Sequence, residues 1–190
     1  MEGSIKHFKR GKTLFYKLLI KNRNRKYIFN ESSSIYGESQ KKIFDINPVI
    51  FYKPFEIEID YDINIYQSNP VDLIGLFCCR NSIDSNTPSI HIFASSQKLT
   101  IDMSDIGLSD RIKGAIPINA KGIIKIQYNE GIIKIYLDDV LKATFDKSAH
   151  KLKSGLPNKC AIGQSYTVNT DTMTNGLRGN IKVKIQPLEI

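Results

Sequence analysis

The chain has 190 residues, 41% hydrophobic and 24% charged, which is long and apolar enough for one domain with its own core. Its net charge of +8 is local, because residues 1–30 hold nine Lys and Arg against Glu2 alone while the remainder balances. Three cysteines, Cys78, Cys79 and Cys160, two of them adjacent, make a poor disulfide framework and show no metal spacing, so neither a cofactor nor a metal is expected. Residues 1–30 show no secretory signal core, and no run reaches the roughly 20 apolar residues of a membrane helix. Together these suggest a soluble chain with no membrane span, cytoplasmic or virion-associated.

In chain order, residues 12–21 fit a helix face or a strand; the strand reading pairs them with 26–30 across the polar turn 22–25. Residues 1–45 are expected to form basic N-terminal strands or an arm, and 46–190 the body of a single domain. From residue 55 onward, period-two alternation dominates. In 55–66, Phe55, Ile57, Ile59, Tyr61, Ile63 and Ile65 share one face, and Glu56, Glu58, Asp60, Asp62 and Asn64 the other. Shorter strands are expected over 72–79 and 89–94, split by the turn-rich 80–88, and over 98–103, followed by a loop at 104–114.

The segment 121–145 reads as a three-strand meander, with turns at Asn129-Glu130-Gly131 and at Asp138-Asp139. Its inward rows are Ile124, Ile126 and Tyr128; then Ile133, Ile135 and Leu137; then Leu141, Ala143 and Phe145. A polar loop covers 164–179, and a last strand, 180–186, points Ile181, Val183 and Ile185 inward. The fold class is therefore all-β, a two-sheet antiparallel sandwich with a basic N-terminal segment.

The meander resembles the signature region of laminin-G-like and related concanavalin A-like domains. Ala161-Ile162-Gly163, followed after a loop by Gly176-Leu177-Arg178-Gly179-Asn180-Ile181, resembles their closing strand, and 55–62 their early long strand. The resemblance covers roughly residues 50–188. It implies a jelly-roll sandwich and a binding module for glycans or proteins.

Two constellations carry chemistry. Glu58, Asp60 and Asp62 alternate on one strand and resemble the E-x-D-x-E core of concanavalin-like glycoside hydrolases. The plainer reading pairs Glu56, Glu58, Asp60 and Asp62 with Lys182, Lys184 or other lysines across the sheet. The second constellation is Lys125, Lys134 and Lys142 on the polar face of the meander, with Tyr136, Gln127 and Thr144 beside them. Tyr136 offers a ring for stacking on a sugar, and the lysines offer charge for carboxylate, sulfate or phosphate.

Other features are weaker. A pairing of Cys160 with His150 has no supporting motif, and the Asp residues of 82–86 and 102–110 match no calcium loop. Phe8, Phe15, Tyr16, Tyr27 and Phe29 interleave with the basic block, as in single-strand nucleic-acid sites, but also as in a basic edge hairpin; nucleic acid is not the favoured partner.

The resulting expectation is a non-catalytic, lectin-like recognition module of a cell-surface attachment system. Its ligand residues would be Lys125, Lys134, Tyr136 and Lys142, with the loops 80–88 and 164–179 as further candidates. The partner would be a glycan or glycoprotein. One alternative is an interaction or structural domain, within a homo-oligomer or larger assembly, docked through its basic N-terminus. Another is a divergent glycoside hydrolase.

Overall fold

Successive side chains of an extended strand point to opposite sides, so an alternating segment acquires one wet face and one face that must be covered. The computed structural model of the chain describes residues 29–35, 43–52, 54–65, 74–82, 85–93, 98–102, 116–147, 159–163 and 177–188. Its strands, in chain order, are β1 (Phe29–Ile35), β2 (Ile43–Asp45), β3 (Phe55–Ile65), β4 (Ile74–Ser82), β5 (Ser85–Phe93) and β6 (Lys98–Asp102). They continue as β7 (Ile116–Pro117), β8 (Lys121–Asn129), β9 (Ile132–Leu137), β10 (Val140–Asp146), β11 (Lys159–Ile162) and β12 (Leu177–Pro187). One short 3-10 turn, Pro48–Tyr52, interrupts them. Among the described residues no helix is long and apolar enough to cross a membrane.

The strands form two antiparallel six-stranded sheets, an all-β sandwich. One has the order β1-β12-β3-β8-β9-β10, the other β2-β11-β4-β5-β6-β7. The core between them takes Phe55, Ile57, Ile59, Tyr61 and Ile63 from β3, Ile124, Ile126 and Tyr128 from β8, and Ile181, Val183 and Ile185 from β12. The second sheet contributes Leu76, Phe77, Cys79, Ile90, Ile92, Leu99 and Ile101. Burying each large side chain contributes about 1.5–3 kcal/mol. The 3-10 turn closes one end of the core by setting Phe51 edge-on to Phe55, with ring centroids 5.2 Å apart. Phe55 in turn stacks on Tyr128 at 5.2 Å.

The long strands follow their apolar patterns, but two expectations need correction. The segment 80–88 is mostly strand, because β4 runs on to Ser82 and β5 begins at Ser85. Register shifts at Cys78/Arg80 and Arg80/Ser82 let this polar hairpin stay paired where its pattern looked like a turn. Leu141 does not face the core: a bulge between Leu141 and Ala143 puts it opposite Tyr136 on the outer face, half-exposed, while Ala143 and Phe145 still point inward. The segment at 29–35 is part of the first sheet, where β1 pairs antiparallel with β12. The other half of the expected N-terminal hairpin, 12–21, and the loop 104–114 lie outside the described residues.

β12 lies close against β3 at Gly179, which has a φ of 137°. A Cβ there would stand 2.1 Å from the Asp62 carbonyl oxygen, so the site excludes every side chain twice over. Gly179→Ala is expected to lower unfolding stability by at least about 3 kcal/mol, read as a fall in the urea midpoint at unchanged slope.

Candidate functional site

The outer face of the first sheet is a ladder of charge. β3 presents Glu56, Glu58, Asp60 and Asp62 between two basic strands. On one side Lys184 stands opposite Glu58 and Lys182 opposite Asp60. On the other, Lys125 stands opposite Glu58 and Lys121 opposite Asp62. Opposite charges so placed contribute about 0.2–1 kcal/mol each, and like charges do not meet. Lys125 Nζ lies 3.6 Å from Glu58 Oε2, and Lys121 Nζ 3.3 Å from Asp62 Oδ2. Glu56 accepts from Gln127 Nε2 at 2.7 Å and from Gln186 Nε2 at 3.2 Å, one donor from each neighbouring strand. The plainer reading of the acidic strand therefore holds.

The hairpins that carry the meander turn through residues at positive φ. The β8–β9 turn uses Glu130 (φ 46°) and Gly131 (φ 89°), and the β9–β10 turn Asp138 (φ 49°) and Asp139 (φ 63°), the backbone of two-residue primed turns. In the second turn the acidic side chains add tertiary bonds that glycine cannot make, beside one made by the backbone. Asp138 Oδ1 accepts the Ile123 N–H at 2.8 Å, and the Asp138 N–H donates to the Ile123 carbonyl at 2.9 Å. Asp139 Oδ1 accepts from Lys125 Nζ at 2.6 Å. That hydrogen bond, helped by the Asp139 and Glu58 charges, holds the Lys125 ammonium above the ordinary lysine value, against the opposing pull of partial burial.

Lys125 is therefore committed to two carboxylates. The other expected ligand residues differ. Tyr136 lies opposite Lys125 on one side and Leu141 on the other, half-buried on the outer face. Lys134, two residues back on the same face of β9, is exposed and stands between Gln127 and Thr144. Lys142 is the extra residue of the bulge, exposed and without a Cα partner in the register. Among the described residues neither Lys134 nor Lys142 has a salt-bridge partner.

The structure thus gathers Lys125, Tyr136 and Lys134 on one face and displaces Lys142 from their row. It adds Leu141, which with Val140 makes up the exposed apolar surface of β10 at 50% and 55% exposure. No signal in a seven-residue strand of mixed character reveals where its bulge falls. Of the loop expected at 164–179, residues 177–179 instead begin β12, while 164–176, like His150, lie outside the described residues.

Beneath the second turn, a Cβ on Gly122 would lie 3.0 Å from both the Tyr61 hydroxyl and Asp138 Oδ1, so glycine leaves room for the two to flank β8. Burial first, and then the Asp138 charge, push the Tyr61 hydroxyl up to about 12.

No family model and no curated protein matches the chain. Solved structures do. The CBM40 module of the Ruminococcus gnavus IT-sialidase, solved bound to α2,3-sialyllactose, superposes with a TM-score of 0.58 at 12% identity, over 85% of this chain and 92% of that one. The serotype D botulinum neurotoxin binding domain gives 0.57 at 13% identity, over 85% and 40%. The receptor-binding domain of the mosaic serotype C/D neurotoxin gives 0.54 at 15% identity, over 86% and 43%. The chain spans less than half the length of the neurotoxin chains it matches. At these identities the likeness is one of fold.

Raised from 10.0 to about 12, the Tyr61 hydroxyl gives the folded state stability that is complete below pH 10 and is lost as pH climbs towards 12. Urea midpoints followed across that window should fall by the equivalent of at most about 3 kcal/mol. Tyr61→Phe should flatten part of the fall, and Tyr128, also pushed up by burial, accounts for some of what remains.

Proposed function

We propose that this chain is a non-catalytic glycan-recognition module of concanavalin A-like, jelly-roll type, which binds sugar on the outer face of the β8–β9–β10 meander. The observation that carries this reading is the composition of that face. An aromatic ring, Tyr136, and an exposed Leu141 form an apolar platform, and Lys134 beside them makes no salt bridge with a described carboxylate. Elsewhere on the sheet Lys121 and Lys125 are matched to acids. A pyranose ring has an apolar face for the platform and a rim of hydroxyls for Lys134, Thr144 and Gln127. Lys142, on the bulge at the rim, favours ligands with an added carboxylate or sulfate. Lys125 holds the turn in place and acts on ligand only through it.

The fold shared with a sialyllactose-bound module supports the same reading, as does its span over nearly all of that module. A flat, open platform binds weakly, so retention at a glycosylated surface rests on several copies acting together.

The test is a glycan array probed with a multimerised form of the protein, with neutral and sialylated oligosaccharides side by side. Tyr136→Ala is expected to cost at least about tenfold in apparent affinity, or about 1.4 kcal/mol, with Lys134→Ala weakening anionic glycans more than neutral ones. An array without hits, or hits untouched by Tyr136→Ala in a protein that keeps its wild-type urea midpoint, overturns the assignment.

A further inference from the structure

The cysteine arithmetic changes once the strands are in register. β11 lies between β2 and β4, and its Cys160 stands directly opposite Cys79 of β4. Directly opposed residues of antiparallel strands have Cα atoms about 4.5–5.5 Å apart, inside the window of about 4.4–6.8 Å that a disulfide spans. Both side chains are fully buried and belong to the inter-sheet core. Cys78, one residue away, points to the other face of the sheet, where its Sγ lies 3.8 Å and 3.9 Å from the two ring nitrogens of His91. Adjacency in sequence thus separates Cys78 and Cys79, while the sheet brings together two residues far apart along the chain.

We propose that Cys79 and Cys160 are an oxidisable pair that closes into a cross-strand disulfide and locks β11 onto β4. The electron acceptor is a small-molecule disulfide such as oxidised glutathione. One cysteine thiolate attacks it, forming a mixed disulfide and releasing one glutathione. The second thiolate then attacks the protein-bound sulfur of that mixed disulfide and releases the other. Two S–H bonds break, one S–S bond forms, and the two protons and two electrons leave on two glutathione thiols.

Access sets the rate. Burial, and then the neighbouring Cys160, push the Cys79 thiol well up, so a reactive thiolate forms only when the strand lifts. β11 has only four residues, which makes it a small unit to open locally. The bond closes a loop of about 80 residues, where the constraint on the unfolded chain is large. The inference is independent of any glycan: the pair lies in the core, and Tyr136 lies on the outer face of the other sheet.

The experiment incubates the whole chain with excess oxidised glutathione, in urea below the unfolding transition, and then blocks remaining thiols with an alkylating reagent. The expected product has lost two hydrogens in intact mass and keeps one alkylated cysteine. Tandem fragmentation between residues 78 and 79 places the link at Cys79 and Cys160. The melting temperature should rise by about 5–10 °C and return on reduction. Cys78→Ala should oxidise as the wild type does. Three alkylated cysteines, stable glutathione adducts, or a link through Cys78 overturns the proposal. The link is mapped on the wild-type chain, so the outcome does not depend on whether any variant folds.

Discussion

β3 is committed on both faces, and the rest of the sandwich is arranged around that commitment. Its apolar row must be covered, and the second sheet covers it. Its acidic row must be neutralised while still facing water, and only strands with basic outward residues can flank it. β12, with Lys182 and Lys184, and β8, with Lys121 and Lys125, meet that condition. A one-residue slip of either strand would bring its lysines inward and take them away from the carboxylates, so burial and charge specify the same register.

The meander depends on this arrangement at second hand. Lys125 balances Glu58 and also reaches Asp139, tying the tip of the β9–β10 hairpin to the central strand. Asp138 binds the Ile123 backbone from the same turn. Two aspartates at positive φ are less easily accommodated than glycine, and their tertiary bonds offset that cost. Tyr136 and Leu141 therefore sit on a stiffened hairpin, which suits a platform whose ligand would gain little from induced fit.

Much of this was legible in the residues. β3, β8, β9 and β12 follow apolar alternation closely, and the acidic strand declared its need for lysines. Short strands were not legible: β2 has three residues and β7 two, too few to show a period. The bulge at Leu141/Ala143 escaped because either phase of that strand looks plausible until β9 sets the register. The opposition of Cys79 and Cys160 was hidden because it depends on which strands become neighbours, a global property that local spacing does not encode. For the candidate site, the residue types were readable and the pairing of Lys125 with Glu58 and Asp139 was not.

The position of β12 has a consequence for how the molecule comes to be. It is the last strand in order, yet it lies inside its sheet, bonded to β1 on one side and β3 on the other. Until it arrives, β1 has no neighbour and the longest acidic strand shows a bare edge to the surroundings. β3, β8, β9 and β10 can pair in turn, but the β1 side of the sheet waits on a segment made after all of them, so that part of the assembly is deferred. Such remote pairings make for slow folders, and the nascent polypeptide would rely on its charges to keep that edge from joining another chain.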